Sequence, residues 1–289
     1  MSFVKNNKRY LYICLALPIA LGLSYIEIDP HTFGFPFNLV LCLLCVYVSV
    51  LAGRLSEHFL FFSGRKAVGI AFITIVILMV LHWLFYHRRL FFCSFFPSVS
   101  YDFSKSALFV CLWMLFIIIL GAVIVRRLTL VKQNNKWFLW NHMGLYLVLL
   151  TGFMGSTDTY TMQTILAKEQ ETNFAFTELG EAMKLPFHLI LKDIQIQRDH
   201  TGLTIQYKAM VSLKDVQKEK TRSVAVNHPC RFKGYDIYVM QASDFGCKLQ
   251  IIYDPWRYVI LFSILIMISG AVVMFFKGTK IQKQDDRLG

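Results

Sequence analysis

Two histidines fall inside apolar runs long enough to cross a bilayer, and they are the first residues of this chain that could do chemistry. His142 lies one turn inside the run Trp137–Met154, and His82 lies within Ala67–Tyr86. Polar groups in hydrocarbon are costly, so a histidine there answers to a partner. Neutral imidazole is a good axial ligand for haem iron. It serves equally as a hydrogen-bonding group between helices or in the headgroup region. For His82, with Trp83 and His87 beside it, the interfacial role fits well.

The cysteines divide by place. Cys42-Leu-Leu-Cys45 has the spacing of a redox or zinc pair, but it sits inside an apolar run with no second ligand pair nearby. Small-residue packing is the expected role. Cys14, Cys93 and Cys111 have no partner that spacing identifies. Cys230 and Cys247 share a polar segment, and if it faces an oxidising compartment both a disulfide between them and free thiols stay open, since spacing does not fix pairing. His188, His200 and His228 are scattered there without ligand spacing and read as surface or strand residues. The chain has no C-x-x-C-H, so it is not itself a c-type cytochrome. It also lacks a P-loop, G-x-S-x-G, H-E-x-x-H and G-x-G-x-x-G, which leaves nucleotide hydrolysis, esterase, zinc-protease and dinucleotide chemistry without an anchor.

The elements that must position these residues are mostly membrane spans. In 289 residues, 56% are hydrophobic, 26 are Phe, and mean hydropathy is +0.50. That is too apolar for one soluble core. Six runs approach the roughly 20 residues a bilayer requires: Tyr10–Tyr25, Phe37–Ala52, Ala67–Tyr86, Ala107–Val125, Trp137–Met154 and Tyr258–Phe276. The basic start, Met1–Arg9, leads into the first run with no A-x-A cleavage site after it, so a retained anchor is expected.

Net charge is +12, yet residues 156–256 carry twelve Lys and Arg against twelve Asp and Glu. No basic stripe is left for nucleic acid. The excess lies in short loops: fourteen Lys and Arg on one side of the six spans and three on the other. The positive-inside rule then places both termini in the cytoplasm and residues 156–256 outside, with Arg88-Arg89 the one dissent. The expected domains are a membrane domain over 1–155, a β-rich domain over 156–256, and a final span with basic tail over 257–289. The fold class is a polytopic α-helical membrane protein of about six spans, with a β-rich extracytoplasmic domain inserted before the last. Within that domain, a short helix is expected near Phe176–Met183. Strands are expected at Phe187–Gln197, at Leu203–Val216 and through Val224–Trp256, where Asn227-His228-Pro229 and Lys233-Gly234 supply turns. A small, mostly antiparallel sheet or sandwich follows.

Four pieces of sequence between Asn141 and Phe276 carry a family resemblance. They are N-H-M-G-L-Y-L-V-L-L-T-G-F-M-G-S-T-D (Asn141–Asp158), L-P-F-H-L-I-L-K-D-I-Q-I (Leu185–Ile196), V-N-H-P-C-R-F-K-G-Y-D-I-Y (Val226–Tyr238) and D-P-W (Asp254–Trp256). In this order the chain resembles the ResB (CcsB) proteins of system II cytochrome c biogenesis. Two departures stand out: Cys230 replaces a common Leu, and Val239-Met240 separates Tyr238 from Gln241. The resemblance implies transport of haem across a bacterial cytoplasmic (inner) membrane, with haem b bound in transit. It implies a tryptophan-rich CcsA/ResC-like membrane partner that joins haem to C-x-x-C-H thiols of apocytochrome c, and it leaves room for a thiol-reducing partner. The partner's tryptophan-rich signature is missing here. His142 matches the family's membrane histidine. Pairing His82 with it as a second haem ligand is an extension that no family motif supports. Asn227, Pro229, Gly234, Tyr235, Tyr238, Asp254, Pro255 and Trp256 are expected to be scaffold.

No acid, base or nucleophile is assembled for haem attachment, so a non-catalytic or co-catalytic subunit is expected. Two other classes stay open at this point. One is a b-type electron carrier with histidines on facing helices, and the other is a cofactor-free membrane adaptor or assembly factor.

Overall fold

The computed structural model describes residues 26–55, 65–87, 103–130, 136–198, 204–215 and 218–277, together with 23, 200 and 201. It divides into two units, one of residues 1–157 and 258–289 and one of residues 158–257. The predicted span Tyr10–Tyr25 lies almost wholly outside the described residues, as do Cys14, Cys93 and Arg88-Arg89.

The first unit is helical: α1 Phe37–Arg54, α2 Arg65–His87, α3 Ala107–Leu130, α4 Lys136–Gly155 and α5 Arg257–Lys277. Among the described residues four helices are long and apolar enough to cross a membrane, and these are α1, α3, α4 and α5; α2 is apolar over the shorter Ala67–Val80. The protein is thus a membrane protein by length and composition of its helices. α3 starts where Ser106 Oγ accepts the Phe109 N–H at 3.2 Å, a side-chain N-cap.

Small residues bring these helices together. Asn38, Cys42, Cys45, Ser49 and Gly53 form the buried stripe of α1, at the three-and-four spacing of one helix face. A Cβ on Gly121 of α3 would stand 2.6 Å from Ser49 Oγ, so the two backbones approach as closely as glycine allows. The α4–α5 crossing is built the same way. A Cβ on Gly270 would lie 2.6 Å from the Asn141 nitrogen, and one on Gly144 would strike the Met267 backbone. Asn141 Nδ2 donates to the Met267 carbonyl at 2.8 Å and Trp140 Nε1 to Ser269 Oγ at 3.0 Å. Gly144→Leu is therefore expected to separate α4 from α5 and to destabilise the helical unit by about 1–3 kcal/mol, the usual result of overpacking. Unfolding of the full chain in a detergent titration reads this out, and an unchanged midpoint would refute it.

The second unit is one eight-stranded antiparallel sheet in the order β5-β4-β3-β2-β1-β8-β7-β6. Its strands are β1 Tyr160–Ala167, β2 Glu171–Thr177, β3 Ala182–Arg198, β4 Thr204–Lys214, β5 Glu219–Ala225, β6 Cys230–Phe232, β7 Tyr235–Ser243 and β8 Gly246–Tyr253. Period-2 alternation sends Leu185, Phe187, Leu189 and Leu191 of β3 inward with Ala209, Val211 and Leu213 of β4. They share one core with Ile237 and Val239 of β7 and Leu249 and Ile251 of β8. The sheet is thus curled so that β3, β4 and β5 meet β7 across the core.

The helix expected near Phe176–Met183 is not formed. Thr177 and Glu181 close a hairpin through Thr177 N–H to Glu181 O at 2.9 Å, and Gly180 turns the chain at φ +84°. Gly180 carries that left-handed conformation without a Cβ clash, which ends any helix at this point.

Candidate functional site

The cleft around His142 is built by three helices. α2 contributes Val68, Gly69 and Phe72, α3 contributes Phe116, Leu120 and Arg127, and α4 contributes Phe138 and His142. It encloses about 330 Å³ and is largely apolar. His142 Nδ1 lies 2.9 Å from the Phe138 carbonyl oxygen, one turn back along α4. A carbonyl can only accept, so Nδ1 carries the proton and the Nε2 lone pair is left for a ligand. The Phe138 ring lies against the imidazole, centroids 3.9 Å apart, and the Arg127 guanidinium stands 4.8 Å from that same ring centroid. A cation, a basic nitrogen and apolar walls meet in one place.

That donor set fits an iron porphyrin. The imidazole suits the metal, the walls suit the macrocycle, and a guanidinium suits its carboxylates through paired hydrogen bonds. Arg127 and Gly69 were missed by sequence reading. In the sequence Arg127 is one of the fourteen loop charges that set orientation, and nothing local to Gly69 marks it. A Cβ at Gly69 would meet nothing within 4 Å, so the residue borders open space.

His82 belongs to α2, thirteen residues beyond Gly69. At 1.5 Å per residue it stands about 20 Å farther along the helix. It does not share the cleft with His142, and its side chain lies outside the described residues.

In the β unit the motif residues are held by turns and by the sheet. Asn227 sits in a turn closed by reciprocal Ala225 and His228 backbone hydrogen bonds of 3.1 and 3.3 Å, and Pro229 follows at the entry to β6. Lys233 and Gly234 both take positive φ, 49° and 85°, the two-residue loop that matches the twist of β6 and β7. Tyr235 packs on Tyr253 with centroids 4.8 Å apart and edge-on to Phe187 at 5.4 Å. Burial raises its phenol pKa, and Tyr253 adds to the rise. Tyr238 is half-buried on β7, opposite Gln250. The register of β7 against β8 slips between Val239 and Gln241, so Met240 is the extra residue of a β-bulge.

Asp254, Pro255 and Trp256 join the two ends of the unit. The Asp254 carboxylate accepts the Trp256 N–H at 3.1 Å, and Trp256 Nε1 donates to Asp158 at 2.7 Å. Burial raises the Asp254 carboxyl above its ordinary pKa, and the neighbouring Asp236 charge adds to that. Asp236 itself is 2% exposed and is held by Arg231 Nε at 2.8 Å and by Arg257. His188 is paired with Glu171 at 2.9 Å.

The candidate disulfide between Cys230 and Cys247 is not formed in the sheet: both are free, buried thiols. Cys230 lies on β6 and Cys247 on β8, with β7 between them. Two strand spacings amount to about 9.6 Å, beyond the roughly 7 Å that a disulfide spans between Cα atoms. They are also out of register, Cys230 opposite Ile237 and Cys247 opposite Ala242. Burial pushes the Cys247 thiol from 9.0 to about 11 and raises Cys230 as well. The folded thiol holds its proton more tightly than the unfolded one. Its contribution is therefore complete below the unfolded pKa and is lost as pH rises from about 9 toward about 11. Urea unfolding at alkaline pH is expected to show this loss, and Cys247→Ala to flatten the slope; an unchanged slope would refute the assignment.

These features define a class: a helical membrane protein with an antiparallel β unit and a histidine-lined cleft. Residues 132–248 of this chain match the model of the ResB-like family. The cytochrome c biogenesis protein CcsB of Prochlorococcus marinus (strain NATL1A) is 25% identical over 115 residues, covering 39% of this chain and 26% of that protein. The protein of the same name from Paulinella chromatophora is 26% identical over 108 residues, covering 34% and 24%. The matched stretch thus spans about a quarter of the length of these relatives. A solved cytochrome c haem lyase CcmF aligns over 83% of this chain and 40% of its own at TM-score 0.37 and 10% identity, too loosely to bear on fold or function.

Proposed function

We propose that this chain is the ResB-like subunit of a system II cytochrome c synthase, acting in cytochrome c biogenesis beside a tryptophan-rich CcsA-like membrane partner. The observation that carries the reading is the His142 imidazole, fixed through Nδ1 on the Phe138 carbonyl and bordering an apolar cleft with Arg127. His142 would hold haem through Nε2, Arg127 would hold a carboxylate, and Phe72, Phe116 and Leu120 would exclude water. Bound haem would supply the porphyrin that the partner joins to apocytochrome c thiols. In this reading the chain has six spans in the bacterial inner membrane with both termini cytoplasmic. His142 then sits near the cytoplasmic face, where haem enters, and residues 156–256 stand outside, where apocytochrome c and partner are organised.

The helix rise that separates His82 from the cleft speaks against a permanent b-type centre made from these two histidines. The test is co-expression of the full chain with its CcsA-like partner, followed by an absorption spectrum of the purified complex. A Soret band is expected. A complex that is assembled yet free of haem would sink the haem reading and leave an adaptor.

A further inference from the structure

Three sulfur-bearing side chains lie along the seam between α1 and α3. On α1, Cys42 and Cys45 stand three residues apart on the buried face, 8% and 2% exposed. Met114 reaches toward them from α3, its Sδ 4.0 Å from Cys45 Sγ. Tyr146 of α4 borders the same region, its hydroxyl 3.3 Å from Ser49 Oγ, four residues along α1 from Cys45. Packing of this seam asks only for small residues, and Ser49 and Gly53 meet that need without sulfur. It does not call for a thioether set against the Cys45 thiol.

We propose that Cys42, Cys45 and Met114 form a three-sulfur site for a soft monovalent cation, the cuprous ion. Thiol and thioether donors favour Cu(I) over oxygen-seeking ions, and three of them leave zinc one ligand short of its four. Among the described residues no three His, Cys, Asp or Glu side chains gather, and the donor set beside Cys45 is the Met114 thioether. The spacing agrees. Bonds of about 2.3 Å to one ion place three sulfurs in a plane about 4.0 Å apart, and the Cys45–Met114 separation is 4.0 Å. Charge agrees as well. As the metal–sulfur bond forms at one cysteine its S–H bond breaks and the proton leaves to solvent, while the second thiol and Met114 give lone pairs only. The thiolate cancels the cation, no oxidation state changes, and no net charge is left among apolar helices. The site lies between α1 and α3, apart from the His142 cleft, and does not depend on haem being bound there.

The full chain, purified in detergent under anaerobic and reducing conditions, is titrated with cuprous ion against bathocuproine disulfonate. One ion per chain is expected to resist the chelator, with sulfur scatterers in its X-ray absorption spectrum. The double variant Cys42→Ser, Cys45→Ser is expected to release it, while its unchanged Cys111, Cys230 and Cys247 report adventitious thiol binding. Met114→Leu keeps the apolar bulk and is expected to weaken retention roughly tenfold or more, as loss of a ligand should. Should the serine pair misfold, Cys42→Ala with Cys45→Ala keeps the seam small and apolar and carries the same expectation. Equal retention by the parent chain and the cysteine-free seam would overturn the site. So would Met114→Leu with unchanged affinity and sulfur count.

Discussion

Replacing both Arg231 and Arg257 by alanine is expected to destabilise the β unit by about 3–5 kcal/mol, because it strands the Asp236 carboxylate in the sheet. Asp236 is 2% exposed, whereas its two partners are 45% and 30% exposed at their side chains. The asymmetry sets the direction of a second comparison. Asp236→Ala leaves two guanidinium groups that can turn to water, so it is expected to cost less than the double arginine change. Asp236→Asn keeps shape and part of the hydrogen bonding and should fall lowest of the three. Denaturant unfolding of the full chain, followed by amide exchange along β7, measures the series. A double arginine variant as stable as the parent would show that this cluster does not hold the sheet.

His142→Ala is expected to abolish haem retention by the complex with the CcsA-like partner, because no second described imidazole borders the cleft to replace Nε2. Loss of signal from one variant is ambiguous, so Gly69→Leu supplies the complement. Gly69 borders open space on α2, and leucine is the better helix former by close to 1 kcal/mol. The substitution should therefore leave the helix intact while filling the cleft, and haem occupancy should fall several-fold with no loss of thermal stability. Arg127→Gln removes the cation and should weaken retention without removing the iron ligand, leaving the band position unchanged. Full haem occupancy in both His142→Ala and Gly69→Leu would place any haem elsewhere in the complex.

The apolar runs from Phe37 onward, the strands β3, β4, β7 and β8, and the turn at Lys233-Gly234 were all legible in the sequence. Each is a local matter. A span is decided by the length of its own apolar run, a half-buried strand by alternation along its own residues, and this hairpin loop by residues that accept positive φ. His142 was legible for the same reason, a polar residue within an apolar run. The features that went unread depend on residues far apart in the chain. Arg127 looked like loop charge until α3 and α4 packed and brought it to the Phe138 ring, 4.8 Å from its centroid. The pairing of Cys230 and Cys247 stayed open until strand order put β7 between them. A short helix was expected near Phe176–Met183, and pairing of β2 with β3 shows that Gly180 instead reverses the chain. Composition and periodicity, which act within one element, determined what each segment is. Register and inter-helix packing, which act between elements, decided which side chains meet at the cleft.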